Sequence, residues 1–164
     1  MQKRLYQKIM IVWGVLILAG YLTSFYYLDS PSWLLASWLS VGLVGIMVQY
    51  LLGGTRTKID RWIQWLWIGI VVGGSVLTYL EYTGIFRLLT GMLHGWFYMC
   101  AGGYVLTGWL EQKKYYLTVA SLYVVAGLSL YLFDLDHAIL ASGVYFFVLC
   151  VLDAFLSEKS RKIN

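Results

Sequence analysis

Four polar side chains lie within long apolar stretches of this sequence and could carry chemistry there: His94, Tyr98, Asp153 and Gln49. An ionisable group inside a membrane span is a candidate functional residue, because burying it is costly unless it is paired or hydrated. Tyr98 follows His94 by four residues, so the two share one face of a helix. We therefore treat these four residues as a candidate polar site for a proton, a ligand or a small solute.

Each of these residues also has a plainer interpretation. His94 could be an interior residue whose ring bonds a tyrosine, a backbone carbonyl or water. Asp153 lies toward the end of the last apolar stretch, where a Lys or Arg from a loop could form a salt bridge with it. Gln49 and Gln64 lie at similar depth and could complete a polar layer. We expect His94 to point into the bundle near Tyr98, beside the third or fifth helix, because an imidazole facing lipid would lose its hydrogen bonds.

The sequence contains none of the common spacings of enzyme or metal sites, such as HExxH, GxSxG or a phosphate-binding loop. His94 and Cys100 are six residues apart, so they point to different sides of a helix. Cys100 and Cys150 form no CxxC pair and are interpreted as small, buried apolar residues. We therefore predict no enzyme activity, no metal site and no cofactor.

The composition is that of a membrane protein. Of the 164 residues, 60% are hydrophobic and 12% are charged, whereas a soluble domain is roughly one quarter charged. Six apolar stretches of about 20 residues, the length of one membrane span, fit into the chain with short connections. The sequence predicts an all-α, polytopic membrane protein, with one transmembrane domain over residues 1–164 that forms a bundle of six transmembrane helices.

The basic residues orient this bundle. If the spans alternate in direction, only Arg87 falls on one side, and the other basic residues fall on the opposite side: Lys3, Arg4, Lys8, Arg56, Lys58, Arg61, Lys113, Lys114, Lys159, Arg161 and Lys162. Loops rich in Lys and Arg stay in the cytoplasm, so both termini are predicted to be cytoplasmic. We expect a multi-pass protein of a prokaryotic cytoplasmic membrane. Its expected partners are the lipid bilayer and, as an open alternative, further copies of the chain in a homo-oligomer, but not nucleic acid.

The predicted outer turns carry acidic residues, namely Asp29, Glu81, Asp134 and Asp136. Together with Arg87 and His137 they could gather at one mouth of the bundle, attract cations there, or sense pH through the histidine. The alternative interpretation is that these side chains are solvated turn residues and helix caps.

The chain reads as one helical hairpin repeated three times, over residues 9–54, 62–110 and 115–157. The second helix of each hairpin opens with a similar tetrapeptide: Leu34-Leu35-Ala36-Ser37, Leu88-Leu89-Thr90-Gly91 and Ile139-Leu140-Ala141-Ser142. A uniform offset of 54 positions pairs Trp13 with Trp67, Gly20 with Gly74 and Tyr50 with Tyr104. Each hairpin enters the membrane from the same side, so an axis along the membrane normal should relate the three copies.

Small residues are predicted to mark the faces where helices pack. In lipid, helices associate through close backbone contact and not by excluding water. The glycines expected at such contacts are Gly20, Gly69, Gly73, Gly74, Gly91, Gly95, Gly102 and Gly127.

Two segments resemble a known family. Tyr116-Leu117-Thr118, Ala126-Gly127 and Ile139-Leu140-Ala141-Ser142-Gly143, together with Gly103-Tyr104-Val105-Leu106-Thr107-Gly108-Trp109-Leu110-Glu111, are similar to the hairpin unit of the HdeD-like membrane proteins. The resemblance implies a six-helix bundle of short repeated hairpins that is associated with bacterial acid stress, and it implies no catalytic residues. The family often carries Pro-Gly in its outer turns, but this sequence contains a single proline, Pro31, and no Pro-Gly.

Two functions are therefore expected. The first is a small integral membrane protein with a stress-related, assembly or structural role and no turnover. The alternative is a channel or carrier for a small solute or a proton, with His94, Tyr98 and Asp153 lining a path between hairpins. A dry axis packed with Gly, Leu and Val would favour the first function, and an axial cavity with polar groups would favour the second.

The predicted topology can be tested with single cysteines in a variant that lacks Cys100 and Cys150. Cysteines introduced at Ser32, Thr83 and Leu135 should react with a membrane-impermeant thiol reagent added outside intact cells, because these positions fall in the outer turns. A cysteine at Thr57 should stay unmodified until the cells are opened. Labelling at Thr57 in sealed cells would overturn the topology.

Overall fold

A computed structural model of the chain describes residues 2–26, 30–53, 58–85 and 91–160. This part of the chain forms six α-helices: α1 (Gln2–Tyr26), α2 (Pro31–Gly53), α3 (Lys58–Tyr82), α4 (Gly91–Glu111), α5 (Tyr115–Ser129) and α6 (Leu135–Ser160). A short 3-10 turn over Leu130–Leu132 extends α5. The predicted all-α class and the number of helices are confirmed.

Five of the helices are long and apolar enough to cross a membrane, which indicates a multi-pass membrane protein. The corresponding stretches are Gln7–Tyr26, Ser32–Leu51, Lys58–Glu81, Tyr115–Leu132 and His137–Leu156. The remaining helix, α4, contains several glycines and polar aromatic residues, which lower its hydropathy. Its role as a sixth span therefore stays a prediction.

Several predicted features lie outside the described residues: Leu88, Leu89 and Thr90 at the start of the fourth predicted helix, and Asp29, Gly54, Arg56, Arg87, Arg161 and Lys162. The same applies to the side chains of Lys3, Arg4, Asp136 and Lys159.

The six helices run up and down and form a ring in the order of the chain. Each helix packs against the next, and α6 packs extensively against α1. Near the start of α1, the Gln7 side-chain amide donates a hydrogen bond to the carbonyl of Ala154 at 3.4 Å. Halfway along, a Cβ on Gly14 would lie 3.1 Å from the Cβ of Cys150. The start of α1 and the end of α6 therefore lie together, and we call this end of the ring the terminal end.

Aromatic rings pack α4, α5 and α6 tightly together. Tyr123 of α5 is 2% exposed, and its ring centroid lies 5.2 Å from that of Tyr104 in α4 and 5.4 Å from that of Phe146 in α6. Phe97 and Phe146 join α4 directly to α6 at 4.2 Å. This half of the ring is filled, so the free space lies on the side of α1, α2, α3 and α4.

In the helix pairs α1–α2 and α3–α4, which we call the first two hairpins, a tryptophan near the start of the second helix is hydrogen-bonded to a hydroxyl near the end of the first. The Trp38 indole N–H donates to Ser24 Oγ at 3.0 Å, and Ser24 donates in turn to the carbonyl of Gly20 at 2.9 Å. The Trp96 N–H donates to Thr78 Oγ1 at 3.0 Å, and Thr78 donates to the carbonyl of Gly74 at 2.7 Å. These bonds join the helices of each hairpin at the end opposite the termini.

A second tryptophan contact recurs in the same two hairpins. A Cβ on Gly45 of α2 would collide with the ring of Trp13 in α1. A Cβ on Gly103 of α4 would lie 2.6 Å from the end of the Ile70 side chain and 3.2 Å from the ring of Trp67, both in α3. Each glycine leaves the space that an indole of the preceding helix occupies.

The start of α6 is capped by an acidic side chain. Asp134 Oδ1 accepts a hydrogen bond from the backbone N–H of His137 at 3.0 Å and lies 2.6 Å from its Nδ1. Both side chains are exposed. For Asp134 the structure therefore favours the helix-cap interpretation.

We predict that Ser24→Ala lowers the free energy of unfolding by about 1–3 kcal/mol, because it leaves the buried Trp38 N–H without its acceptor. Thr23→Ala is the matched control, since the Thr23 hydroxyl is bonded only to the carbonyl of Ala19 on an exposed surface. Unfolding by a denaturing detergent, followed by circular dichroism, measures the difference. Equal losses in the two variants would mean that the indole bond contributes nothing.

The cap also predicts a pH dependence. The pKa of Asp134 is lowered by the backbone N–H of His137 and by the His137 side chain. A lowered carboxyl pKa stabilises the folded state above the usual pKa of aspartate, and this contribution is lost as the pH falls through the lowered value. In melting curves recorded from pH 7 to pH 3, Asp134→Asn should match the wild type at neutral pH, because asparagine also caps helices, and should lose less stability in acid. An acid limb that is unchanged in this variant would contradict the prediction.

Candidate functional site

A cavity of the described structure lies inside the ring, between α1, α2, α3 and α4. Its volume is about 400 Å³, which is within the range of small-molecule pockets. Residues from all six helices contribute to its wall, but α5 and α6 contribute few. The cavity thus follows from the fold, because the aromatic packing of α4, α5 and α6 leaves the other half of the ring open.

Two tryptophans close the cavity at the end opposite the termini. The indoles of Trp38 and Trp96 stack with centroids 5.6 Å apart and planes inclined by 23°. Tyr21 packs edge-on against Trp38 at 4.9 Å. All three side chains are buried: Trp38 is 8% exposed, Trp96 is 7% exposed and Tyr21 is 2% exposed. We call Trp38 and Trp96 the tryptophan pair.

The middle of the cavity is apolar and largely aromatic. Trp13 and Trp67 line it from α1 and α3, and Tyr104 lines it from α4. The Trp67 and Tyr104 rings meet edge to face at 5.0 Å. Both cysteines of the chain, Cys100 and Cys150, also belong to this wall and are free thiols.

The terminal end of the cavity is polar and reaches the surface. Its wall there includes Tyr50, which is 63% exposed. The polar side chains of this part are Gln49, Asp60, Gln64, Thr107, Glu111 and Lys113. As far as the chain is described, the cavity therefore reaches the surface toward the terminal end, and the buried tryptophan pair lies at its other end.

Charges at this mouth are largely compensated within the protein. The Glu111 carboxylate forms an ion pair with Lys113 and accepts a hydrogen bond from the Tyr116 hydroxyl at 3.3 Å. Gln112, between them, adopts a positive φ of 55°, which turns the chain sharply from α4 into α5. Within the described ranges, no cluster of three or more His, Cys, Asp and Glu residues could hold a metal ion.

Thr107 differs from the other buried serine and threonine residues. It is 3% exposed, and its hydroxyl has no hydrogen-bond partner within the described part of the chain. Ser24, Thr78 and Ser142 instead donate to the carbonyl four residues earlier, at 2.7–2.9 Å. Thr107 belongs to the residues that line the cavity, although its oxygen itself is fully buried. The sequence does not distinguish this threonine from the others, which is why sequence reasoning missed it.

The predicted polar residues do not all come together. Gln49 lines the cavity, and so does Gln64. Asp153 is completely buried and accepts a hydrogen bond from the Tyr104 hydroxyl at 2.9 Å. Because the Tyr104 ring lines the cavity, Asp153 is connected to the wall through it. Tyr104 is thus a second cavity residue to which sequence reasoning gave no role in the site.

His94 and Tyr98 lie in a different place. The His94 ring stacks on Tyr131, at the end of α5, with centroids 3.9 Å apart, and Tyr98 also interacts with Tyr131. The cavity wall, as far as the chain is described, contains neither His94 nor Tyr98. Ten residues of helix separate His94 from Tyr104, a distance of about 15 Å. The path predicted through His94, Tyr98 and Asp153 therefore does not correspond to this cavity.

The glycines predicted at helix contacts fall into two groups. Gly20 lies against Trp38, Gly74 against Trp96, and Gly127 against Phe97 and Tyr98 of α4. By contrast, a Cβ at Gly69, Gly73 or Gly102 would meet nothing within 4 Å, so these three have no packing role between the described helices. The spacing of glycines alone does not say whether the neighbour is a helix or lipid. Gly91 begins α4 with a φ of 70°, and Gly95 lies one turn further along.

Comparisons of the chain with family models, with curated proteins and with solved structures find no match. The similarity to the HdeD-like proteins stays a prediction.

Proposed function

We propose that this protein is a carrier for a small solute, which binds in the cavity between α1, α2, α3 and α4. The observation that carries the proposal is the form of the cavity: within the described residues, it reaches the surface at the terminal end and is bounded at the other end by the tryptophan pair. A carrier in which one end is accessible and the other blocked has this form, whereas a conducting channel would need both ends open.

The other function expected from the sequence, a structural or assembly role, is less well supported. It predicts an axis packed with Gly, Leu and Val, but the ring instead encloses about 400 Å³ with glutamine, threonine and tyrosine side chains in its wall. Empty space costs stability, because the lining atoms lose their packing contacts. A space of this size with convergent polar groups is therefore typical of a binding site. The absence of turnover remains a prediction.

The positions of the basic residues indicate on which side of the membrane the cavity opens. The basic residues Lys8, Lys58, Arg61, Lys113 and Lys114 all lie near the terminal end, and such residues mark the cytoplasmic side. On this basis the cavity opens to the cytoplasm. We include α4 as the sixth span, because its 21 residues cover about 31 Å and it packs beside α3 and α5.

The first two hairpins are proposed to be copies of one unit that encloses the cavity. Trp13, Gly20 and Ser24 of α1 correspond to Trp67, Gly74 and Thr78 of α3, each 54 positions later, and they make equivalent contacts.

In the second helix of each hairpin, the contacts support an offset of 58 positions and not the uniform 54, since Trp38 corresponds to Trp96 and Gly45 to Gly103. The extra four residues fall in the α3–α4 connection, which is longer than the α1–α2 connection. The third hairpin differs, because the atoms nearest to a Cβ on Gly127 belong to Phe97 and Tyr98 of α4.

Labelling of a native thiol tests the proposal. In the Cys150→Ser variant, Cys100 is the remaining cysteine. In sealed vesicles of known orientation, a small impermeant methanethiosulfonate reagent should modify Cys100 from the terminal side and at least tenfold more slowly from the other side. Replacing Trp38 with Val should open the closed end and bring the two rates within about threefold of each other.

Trp33→Val is the matched control, because Trp33 lies in the same helix but is 65% exposed and is not part of the cavity wall. This variant should keep the wild-type difference. Equal rates from both sides in the parent variant, or no labelling from the terminal side, would contradict the proposal. A Trp38→Val protein that elutes as a single folded species and stays closed would also contradict it.

A further inference from the structure

We propose that Cys100 and Cys150 together bind a soft metal ion such as Cu(I), held between their two sulfur atoms in the wall of the cavity. This inference rests on the proposed binding role of the cavity, and it adds the class of solute. Three features support it: the thiols lie at one depth, they point to the same side of a helix contact, and the cavity connects them to its mouth.

The two thiols lie at nearly the same depth in the bundle. The helices α4 and α6 run in the same direction and touch at two levels. Phe97 meets Phe146 with ring centroids 4.2 Å apart, and two turns further along the Tyr104 hydroxyl donates to Asp153 at 2.9 Å. Both contacts join residues that are 49 positions apart in the chain, and the cysteines are 50 positions apart. The depths of the thiols therefore differ by one residue of helix, about 1.5 Å.

Both thiols also point to the same side of the line along which α4 and α6 touch. Cys100 follows Phe97 by three residues, and Cys150 follows Phe146 by four. At 3.6 residues per turn, the first is rotated about 60° one way from its contact residue and the second about 40° the other way. In helices that run in the same direction, opposite rotations bring two side chains together. The side on which they meet faces the cavity, since both cysteines belong to its wall.

The surroundings of the thiols fit a bound metal ion. The Tyr123 hydroxyl lies 3.9 Å from Cys150 Sγ and can donate a hydrogen bond to that sulfur when it is a thiolate, which is how outer-shell groups orient metal ligands. Both cysteines are buried, so an ion reaches them through the cavity. Eleven residues of α4 separate Cys100 from Glu111 at the mouth, a depth of about 16 Å.

Two converging thiols select a soft metal ion. Thiolate sulfur prefers soft ions such as Cu(I), which two thiolates can hold in a linear arrangement. Zinc in structural sites needs four ligands, and calcium and magnesium need six or more oxygen ligands. The described ranges contain no group of three or more His, Cys, Asp and Glu residues that could supply them. Each sulfur releases its proton to water as it binds the ion, so the positive charge of the ion is compensated inside the apolar wall.

Competition with the chromogenic chelator bicinchoninate, in an oxygen-free buffer with ascorbate, measures Cu(I) binding by the purified protein. The wild type should bind one Cu(I) per chain, and X-ray absorption should show two sulfur ligands. Cys100→Ser and Cys150→Ser should each weaken binding by more than about a hundredfold, since the loss of an outer-shell partner alone costs about tenfold to a hundredfold. An equal concentration of Zn²⁺ should fail to displace the bound Cu(I).

The double variant Cys100→Ser/Thr107→Cys is the matched control, because it keeps two thiols in the cavity wall. Position 107 lies seven residues further along α4, about 10 Å from the level of Cys150, so one ion cannot bridge the two sulfur atoms. Thr107 is buried and similar in size to cysteine, and elution as a single species shows that the variant folds. We expect it to bind Cu(I) as weakly as Cys100→Ser.

The outcomes separate the two proposals. Wild-type affinity in a single variant or in the matched control, nitrogen or oxygen ligands on the copper, or displacement by Zn²⁺ would overturn the thiol site. So would a wild type that binds no Cu(I) while Cys100 is still labelled from the terminal side only, and the carrier proposal would then stand. If Cu(I) binds through both thiols but labelling is equal from the two sides, the thiol site stands and the carrier proposal fails. If neither Cu(I) binding nor one-sided labelling is found, both proposals fail.

Discussion

A buried indole N–H in a membrane protein must find an acceptor within the protein, because lipid offers none. Trp38 and Trp96 find theirs in Ser24 and Thr78, on the preceding helix of the same hairpin. Each bond orients its indole toward the centre of the ring, where the two rings stack. The closed end of the cavity depends on this arrangement. Without the hydroxyl acceptors, no hydrogen bond would hold the two indoles at the axis of the ring.

Side chains pack differently in the two halves of the ring of helices. On one side, Phe97, Tyr123 and Phe146 fill the space between α4, α5 and α6. On the other side, Trp13 and Trp67 are seated against Gly45 and Gly103, which anchors their rings in the wall and leaves the axis free. Large aromatic side chains therefore fill the core in one half of the ring and form the wall of the cavity in the other half. Their positions along α1 and α3 set its apolar length.

The helices could be predicted from the sequence because each needs only an apolar stretch of sufficient length, a property of neighbouring residues. The site could be predicted only in part. Gln49 was found, because a polar residue in an apolar stretch is visible in the sequence. Thr107 was not, since the difference between a threonine bonded to its own helix and one facing a cavity arises only after folding. His94 is conspicuous in the sequence, yet it lies against Tyr131, away from the cavity.

The α3 helix is asymmetric in a way that bears on the mechanics of the protein. Toward the cavity it presents Trp67, Ile70 and Val71, while on its outer face Gly69 and Gly73 leave the backbone uncovered. Acyl chains can therefore press directly on the backbone of one wall of the cavity. Lateral pressure in the bilayer would therefore reach this wall of the cavity through the backbone of α3 and not through intervening side chains.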